Sequence, residues 1–224
     1  MCGRFTLDPT TKEFYKRFKV SNQLEIKARF NIAPTQDVPV IVHNSPNRIV
    51  MMRWGLIPHW AKDESIGNKM INARAETITE KVSFKNLLPS KRCIVPASGY
   101  YEWQKTEGKG KQPFYIHDEN DDYLPFAGLY TTWKNPEGTE IHSFTIITTA
   151  PTVNLKAIHD RMPVILEPKA EEVWLNPDVT DPKELTPLLH PYTVKALDFY
   201  PVSKAVNRAG LESPLLIEKS NVSE

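Results

Sequence analysis

Apolar positions along the chain gather in short runs rich in β-branched and aromatic residues, separated by polar stretches that carry turn residues. These runs cover residues 38–42, 49–54, 92–96, 99–103, 113–117, 126–133, 142–149, 162–166 and 197–202, and each reads as a β-strand. Helical spacing is scarcer. Residues 10–18 place Phe14 and Phe18 four apart behind an Asp8-Pro9 start, while 152–158 and 169–175 read as short helices. Helices and strands do not alternate, which disfavours a parallel βαβ architecture. The pattern predicts an α+β fold: a largely antiparallel, barrel-like sheet with a few short flanking helices.

The chain's 224 residues suit one large domain or two small ones. Its 19 prolines are scattered rather than gathered into a linker, and no repeat or low-complexity tract divides it. A single domain over 1–224 is expected, with a frayed polar tail at 218–224. Hydrophobic residues at 40% and charged residues at 25% fit neither disordered, collagen-like nor coiled-coil classes. No apolar run reaches the roughly 18 residues that span a bilayer, and the first residues lack a signal-peptide core. No membrane partner and a cytoplasmic location are therefore expected. Net charge is +1, yet residues 1–112 hold 19 Lys and Arg against 10 Asp and Glu, and residues 113–224 hold 9 against 17. This asymmetry hints at a basic face, although interleaving of the two halves would spread it.

The charge picture matters most beside the chemistry of the first residues. Cys2 follows the initiator methionine, and its small side chain permits Met1 removal, which would leave a 1,2-aminothiol. An α-amine titrates near ~7.7–8.0 and a free thiol near ~8.5, so both supply a nucleophilic fraction at neutral pH. An aldehyde attacked by the amine gives a Schiff base, and the thiol then closes a five-membered thiazolidine on the same carbon. Two other readings stand beside this one. Cys2 is an ordinary residue at a frayed end, or it is an N-terminal nucleophile that attacks a carboxamide with its own amine as base, as an amidase or peptidase. Cys93, within an apolar run, reads as a buried small hydrophobe.

Three further segments hold candidate chemistry. Extended, the stretch around Asn72, Arg74 and Glu76 sets all three on one face, suited to a carbonyl or hydroxyl at Asn72 and a phosphate at Arg74; the plainer reading is a polar edge strand or turn. Glu102 lies among aromatic neighbours that would raise its pKa and make it a proton donor near neutrality. His159, Asp160 and Arg161 cluster before Pro163, where His159 suits proton transfer and Arg161 phosphate binding. The other histidines (His43, His59, His117, His142, His190) lack such company and read as surface or core. No Cys or His pair has zinc spacing, and no Walker loop or Gly-rich dinucleotide fingerprint occurs, so neither a metal nor a cofactor is expected.

Taken together, Cys2-Gly3-Arg4-Phe5, Phe30-Asn31-Ile32-Ala33-Pro34-Thr35, Arg53-Trp54-Gly55-Leu56-Ile57-Pro58, Ile71-Asn72-Ala73-Arg74-Ala75-Glu76-Thr77, Arg92-Cys93-Ile94-Val95-Pro96, Gly99-Tyr100-Tyr101-Glu102-Trp103 and Ile158-His159-Asp160-Arg161-Met162-Pro163 resemble the SOS response-associated peptidase (SRAP) family. The matches run in family order from residue 2 to about Asn207. The resemblance implies an abasic-site sensor: Cys2 crosslinks to the ring-opened aldehyde of an abasic site in single-stranded DNA and shields it from strand cleavage. It implies catalytic positions at Cys2, Asn72, Glu102 and His159, with Asn72 orienting the amine and sugar, Glu102 transferring protons and His159 aiding ring opening. It places Arg4, Arg74 and Arg161 on phosphates and Pro34 as a wedge at a single-strand/duplex junction. Trp54, Trp60 and Trp103 are candidate stacking platforms, Trp60 the preferred one beside Lys62. Schiff-base lyase chemistry, autoproteolysis, a monomer and nucleoid association on damaged DNA belong to the same set of implications. A simple single-strand DNA-binding module is the non-enzymatic alternative.

Overall fold

Every strand-like run contains a strand in the computed structural model, which describes residues 2–9, 12–22, 24–43, 46–108, 110–120, 123–193 and 197–220. The strands are β1 (Phe5–Leu7), β2 (Arg29–Ile32), β3 (Asp37–Val42), β4 (Arg48–Trp54), β5 (Asn72–Arg74), β6 (Arg92–Ala97), β7 (Gly99–Lys105), β8 (Lys111–His117), β9 (Leu124–Lys134), β10 (Glu140–Thr149), β11 (Met162–Pro163) and β12 (Asp198–Pro201). The helices are α1 (Lys12–Arg17), α2 (Val82–Lys85), α3 (Pro168–Leu175) and α4 (Pro182–Leu185).

Strands β10, β4, β3, β6 and β9 follow one another, and β9 pairs back onto β10 to close a five-stranded barrel. Only the β10–β4 contact within this ring is parallel. β5 continues along β10 beyond β4, with Asn72 opposite Ile146 and Arg74 opposite Thr148. A second sheet, antiparallel throughout, runs β12-β8-β7-β1-β2. The fold is thus α+β with a largely antiparallel barrel, as the sequence pattern predicts.

Aromatic side chains join the two sheets. Phe5 on β1 meets Trp54 of the barrel edge-on at 5.1 Å and Phe126 at 6.2 Å, and Tyr100 on β7 meets Phe126 at 5.9 Å. Each such ring contributes roughly 1.5–3 kcal/mol on burial. After β4 the chain turns through Gly55, at φ +122°, where a Cβ would lie 2.6 Å from the Gly67 carbonyl oxygen. Only glycine permits this crossing. It returns residues 70–74 to the edge of β10, where Leu56 N–H bonds Met70 O and Ile146 N–H bonds Ile71 O.

The structure departs from the sequence pattern in four places. Residues 152–158 form successive turns, not a helix; Thr152 Oγ1 bonds the Asn154 side chain, and Asn154 Nδ2 donates to Leu197 O, side-chain bonds that compete with a regular helix. The 162–166 run forms a strand of only two residues against β10, because from Val164 the chain crosses over to β9, where Ile165 bridges Phe126 and Leu166 N–H bonds Pro125 O. Residues 218–220 are tied down rather than frayed: Lys219 bridges Val202, and Ser220 N–H bonds Pro201 O at 2.8 Å, while 221–224 lie outside the described residues. Strands β1, β2 and β5 have no counterpart among the sequence runs. Among the described residues, no helix is long and apolar enough to cross a membrane.

Candidate active site

Pairing of β1 with β7 sets Phe5 opposite Tyr100, and Tyr101 N–H bonds Arg4 O at 3.0 Å, which lays the segment containing Cys2 along the start of β7. Cys2 is fully buried, not frayed. Burial first, and the nearby Glu102 charge second, push its thiol far above the ordinary range. In this buried setting the thiol stays protonated at neutral pH, unlike a free thiol near ~8.5. Asn72 on β5 donates Nδ2 to the Cys2 carbonyl at 2.9 Å, and its Oδ1 is buried with no hydrogen-bond partner among the described residues. Asn72 and Arg74 are extended together, but Glu76 has left the strand for a 3-10 turn over Ala75–Thr77.

Alternation along β7 puts Tyr100 and Glu102 on one face. Burial lifts the Glu102 carboxyl from an ordinary 4.5 to about 7, so it exchanges protons near neutrality. Its Oε2 stands 3.8 Å from His159 Nε2. On the other side of the ring, Nδ1 accepts from the Arg161 backbone N–H at 3.0 Å and lies 2.9 Å from Asp160 Oδ1. One neutral nitrogen cannot serve a donor and an acceptor at once. The Asp160 side chain is 88% exposed, so water weakens its pull, and the fixed backbone donor favours the neutral tautomer with its proton on Nε2, facing Glu102. Burial favours that neutral form by holding the imidazole below its usual value. The four groups brought together are thus a protonated thiol, an amide with an open acceptor, a carboxyl poised near pH 7 and a neutral imidazole donor.

The residues expected to meet DNA are more dispersed. Arg4 is half-buried, with Nη1 donating to Asn31 Oδ1 at 2.7 Å and Val206 O at 2.9 Å. Arg74 is exposed, and Arg161 is paired with Glu76. Pro34 is half-buried before Thr35, whose φ of +73° is a strained value for a β-branched residue. Trp60 is 50% exposed, in a small groove with Val82 and Thr131. Trp54 is no platform: it is fully buried and donates Nε1 to Ile71 O, because the Gly55 turn folds the chain over it. Trp103 is half-buried, bonded through Nε1 to Asn207 Oδ1 at 2.7 Å. A cleft of about 360 Å³ between α1 and α3 contains none of these groups, and Arg17–Glu171 and Lys19–Glu172 pair across it.

One neighbour of the site and one pairing beside it escaped the sequence reading. Tyr100 is fully buried, its hydroxyl without a hydrogen-bond partner among the described residues; its place two residues before Glu102 was the available signal. Glu76 binds Arg161 across 85 positions of chain, a pairing that no local spacing reveals.

These groups sit on a closed barrel backed by a second sheet, an α+β class of fold in which a buried cysteine at position two lies beside the Asn72 amide. The chain belongs to the SRAP family: the family model for "SOS response associated peptidase (SRAP)" matches residues 1–209. It is 48% identical to the abasic site processing protein YoqW of Bacillus subtilis, over 97% of this chain and 99% of that one. It is 33% identical to the abasic site processing protein HMCES of Xenopus tropicalis, over 83% of this chain and 64% of that protein. A crystal structure of a Bacteroides thetaiotaomicron protein superposes with a TM-score of 0.89 at 29% identity, covering 98% of this chain and all of the other.

Proposed function

We propose that this chain is an abasic-site processing protein that captures the lesion in single-stranded DNA as a covalent thiazolidine on Cys2. One observation carries the reading: Asn72 grips the Cys2 carbonyl beside a carboxyl that titrates near pH 7 and an imidazole 3.8 Å from it. Relatives that bear the name abasic site processing protein support the substrate class.

Removal of Met1 puts the α-amine on Cys2. The amine attacks the C1 aldehyde of the ring-opened sugar, and the carbinolamine loses water to give an imine. The thiol then adds to the same carbon, the imine nitrogen gains its proton, and a five-membered ring closes; one water is released per crosslink and no cofactor is consumed. Because burial holds the thiol protonated, amine attack comes first and ring closure second. Glu102 protonates the departing hydroxyl and relays the thiol proton. His159 donates from Nε2 to the sugar oxygen as the ring opens, and the open Oδ1 of Asn72 orients the amine. Ring closure removes the imine on which β-elimination depends, so strand cleavage is suppressed. Arg4, Arg74 and Arg161 hold phosphates, Trp60 stacks on a base, and Pro34 abuts the junction where single strand meets duplex. The chain works as one domain and one monomer, since one lesion needs one cysteine.

Intact mass of the protein after incubation with an abasic single-stranded oligonucleotide tests this. The Met1-free chain is expected to gain the oligonucleotide mass less one water, whereas Cys2→Ala and an undamaged oligonucleotide give no adduct. A full adduct on Cys2→Ala defeats the reading.

A further inference from the structure

Glu76 lies just past β5, in the same segment that brings Asn72 to Cys2. Its carboxylate takes a bidentate pair of bonds from Arg161, Nη1 to Oε1 at 2.7 Å and Nη2 to Oε2 at 2.9 Å. Arg161 Nη2 also donates to the Thr148 carbonyl at 2.6 Å, and Thr148 is itself held between Arg74 of β5 and Pro163 of β11. The guanidinium is therefore clamped between the segment after β5 and the end of β10, with its side chain 13% exposed. A planar fork held on two sides has little freedom to turn. The main chain of the same Arg161 supplies the N–H that caps His159 Nδ1.

We propose that Glu76 is a positioning residue for His159, acting through the Arg161 clamp to hold the imidazole with its proton on Nε2 and aimed at Glu102. Asp160 makes this necessary. It sits 2.9 Å from the same Nδ1 and rewards the opposite tautomer, which would turn a lone pair instead of a proton toward Glu102. Loosening the clamp lets Asp160 win, and the donor that opens the sugar ring becomes an acceptor. One short segment then sets both partners of the reaction: Asn72 fixes the nucleophile's carbonyl, and Glu76 fixes the proton donor. This inference rests on the reading of His159 as the donor in abasic-site capture, and its test is separable from that reading.

Long-range 1H–15N spectra of histidine-labelled protein at neutral pH, without DNA, report the tautomer, with the His159 signal assigned by its loss in His159→Gln. The wild-type chain is expected to show an acceptor Nδ1, and Glu76→Gln a mixture with Nδ1–H. In parallel, Glu76→Gln should slow capture of an abasic oligonucleotide on the order of tenfold, as a displaced reacting group does. Glu76→Asp, which keeps a carboxylate, should recover part of the rate and the wild-type tautomer; it decides the matter if the Gln variant fails to fold. A wild-type tautomer in Glu76→Gln overturns the inference. A wild-type chain that forms no adduct sinks the capture reading alone, because the tautomer is read without substrate.

Discussion

Glu102 would couple the proposed function to stability through one buried carboxyl. Its folded value of about 7 lies above the ordinary 4.5, so the cost of its charge is absent below the lower value and complete above the higher one. Wild-type stability therefore falls as pH rises through that window, and a neutral mimic escapes the fall. Glu102→Gln should unfold in urea at nearly the wild-type concentration at pH 4.5, and be more stable on the order of 3 kcal/mol at pH 8, while forming its DNA adduct far more slowly. An advantage that does not widen with pH would place the carboxyl in a wetter setting than the one described. At this scale the sequence is legible as chemistry but not as environment. The aromatic neighbours of Glu102 correctly foretold a raised carboxyl, whereas nothing around Cys2 signalled that its thiol would be sealed in the core and kept protonated.

Elements show where local pattern ends and tertiary pairing begins. Runs such as 92–96 and 143–149 announce themselves because both faces of those strands are buried, which favours apolar and β-branched residues. β1, β2 and β5 are three or four residues long, too short for any period, and exist because β7, β1 and β10 respectively offer them an edge. The same non-local logic joins β6 to α3. Buried Arg92 donates Nε to Trp174 O at 2.6 Å, Nη1 to Leu88 O at 2.8 Å and Nη2 to Asn176 O at 2.6 Å, with Pro89 O a further acceptor. Arg92→Met fills the space but leaves those carbonyls unpaired. It should lower stability on the order of 3 kcal/mol and Tm by about 10 °C, read by calorimetry; an unchanged Tm would mean that water replaces the guanidinium without loss.

Across the whole molecule the modest net charge conceals the arrangement that DNA would meet. Residues 1–112 carry the basic excess, and Arg74, exposed beside the site, belongs to that half. Arg161 comes from the acidic half and reaches the site already paired with Glu76, so the two arginines are not equivalent. If Arg74 neutralises a backbone phosphate, Arg74→Ala should weaken binding to any single strand and reduce the slope of log affinity against log salt by about 0.7. Fluorescence anisotropy over a salt series reads this, and an unaltered slope would remove Arg74 from the interface.

The enclosure around Cys2 is assembled from Asn72, the β7 strand and the loop that carries His159, all made long after residue 2 leaves the ribosome. A growing chain therefore trails an uncovered amino terminus until more than two thirds of it has been translated, and contacts so distant in sequence form late in folding. If Met1 is removed as proposed, that interval is when an aminopeptidase would trim it. Chain that finishes synthesis untrimmed should resist the same enzyme once folded, and yield to it again only in denaturant.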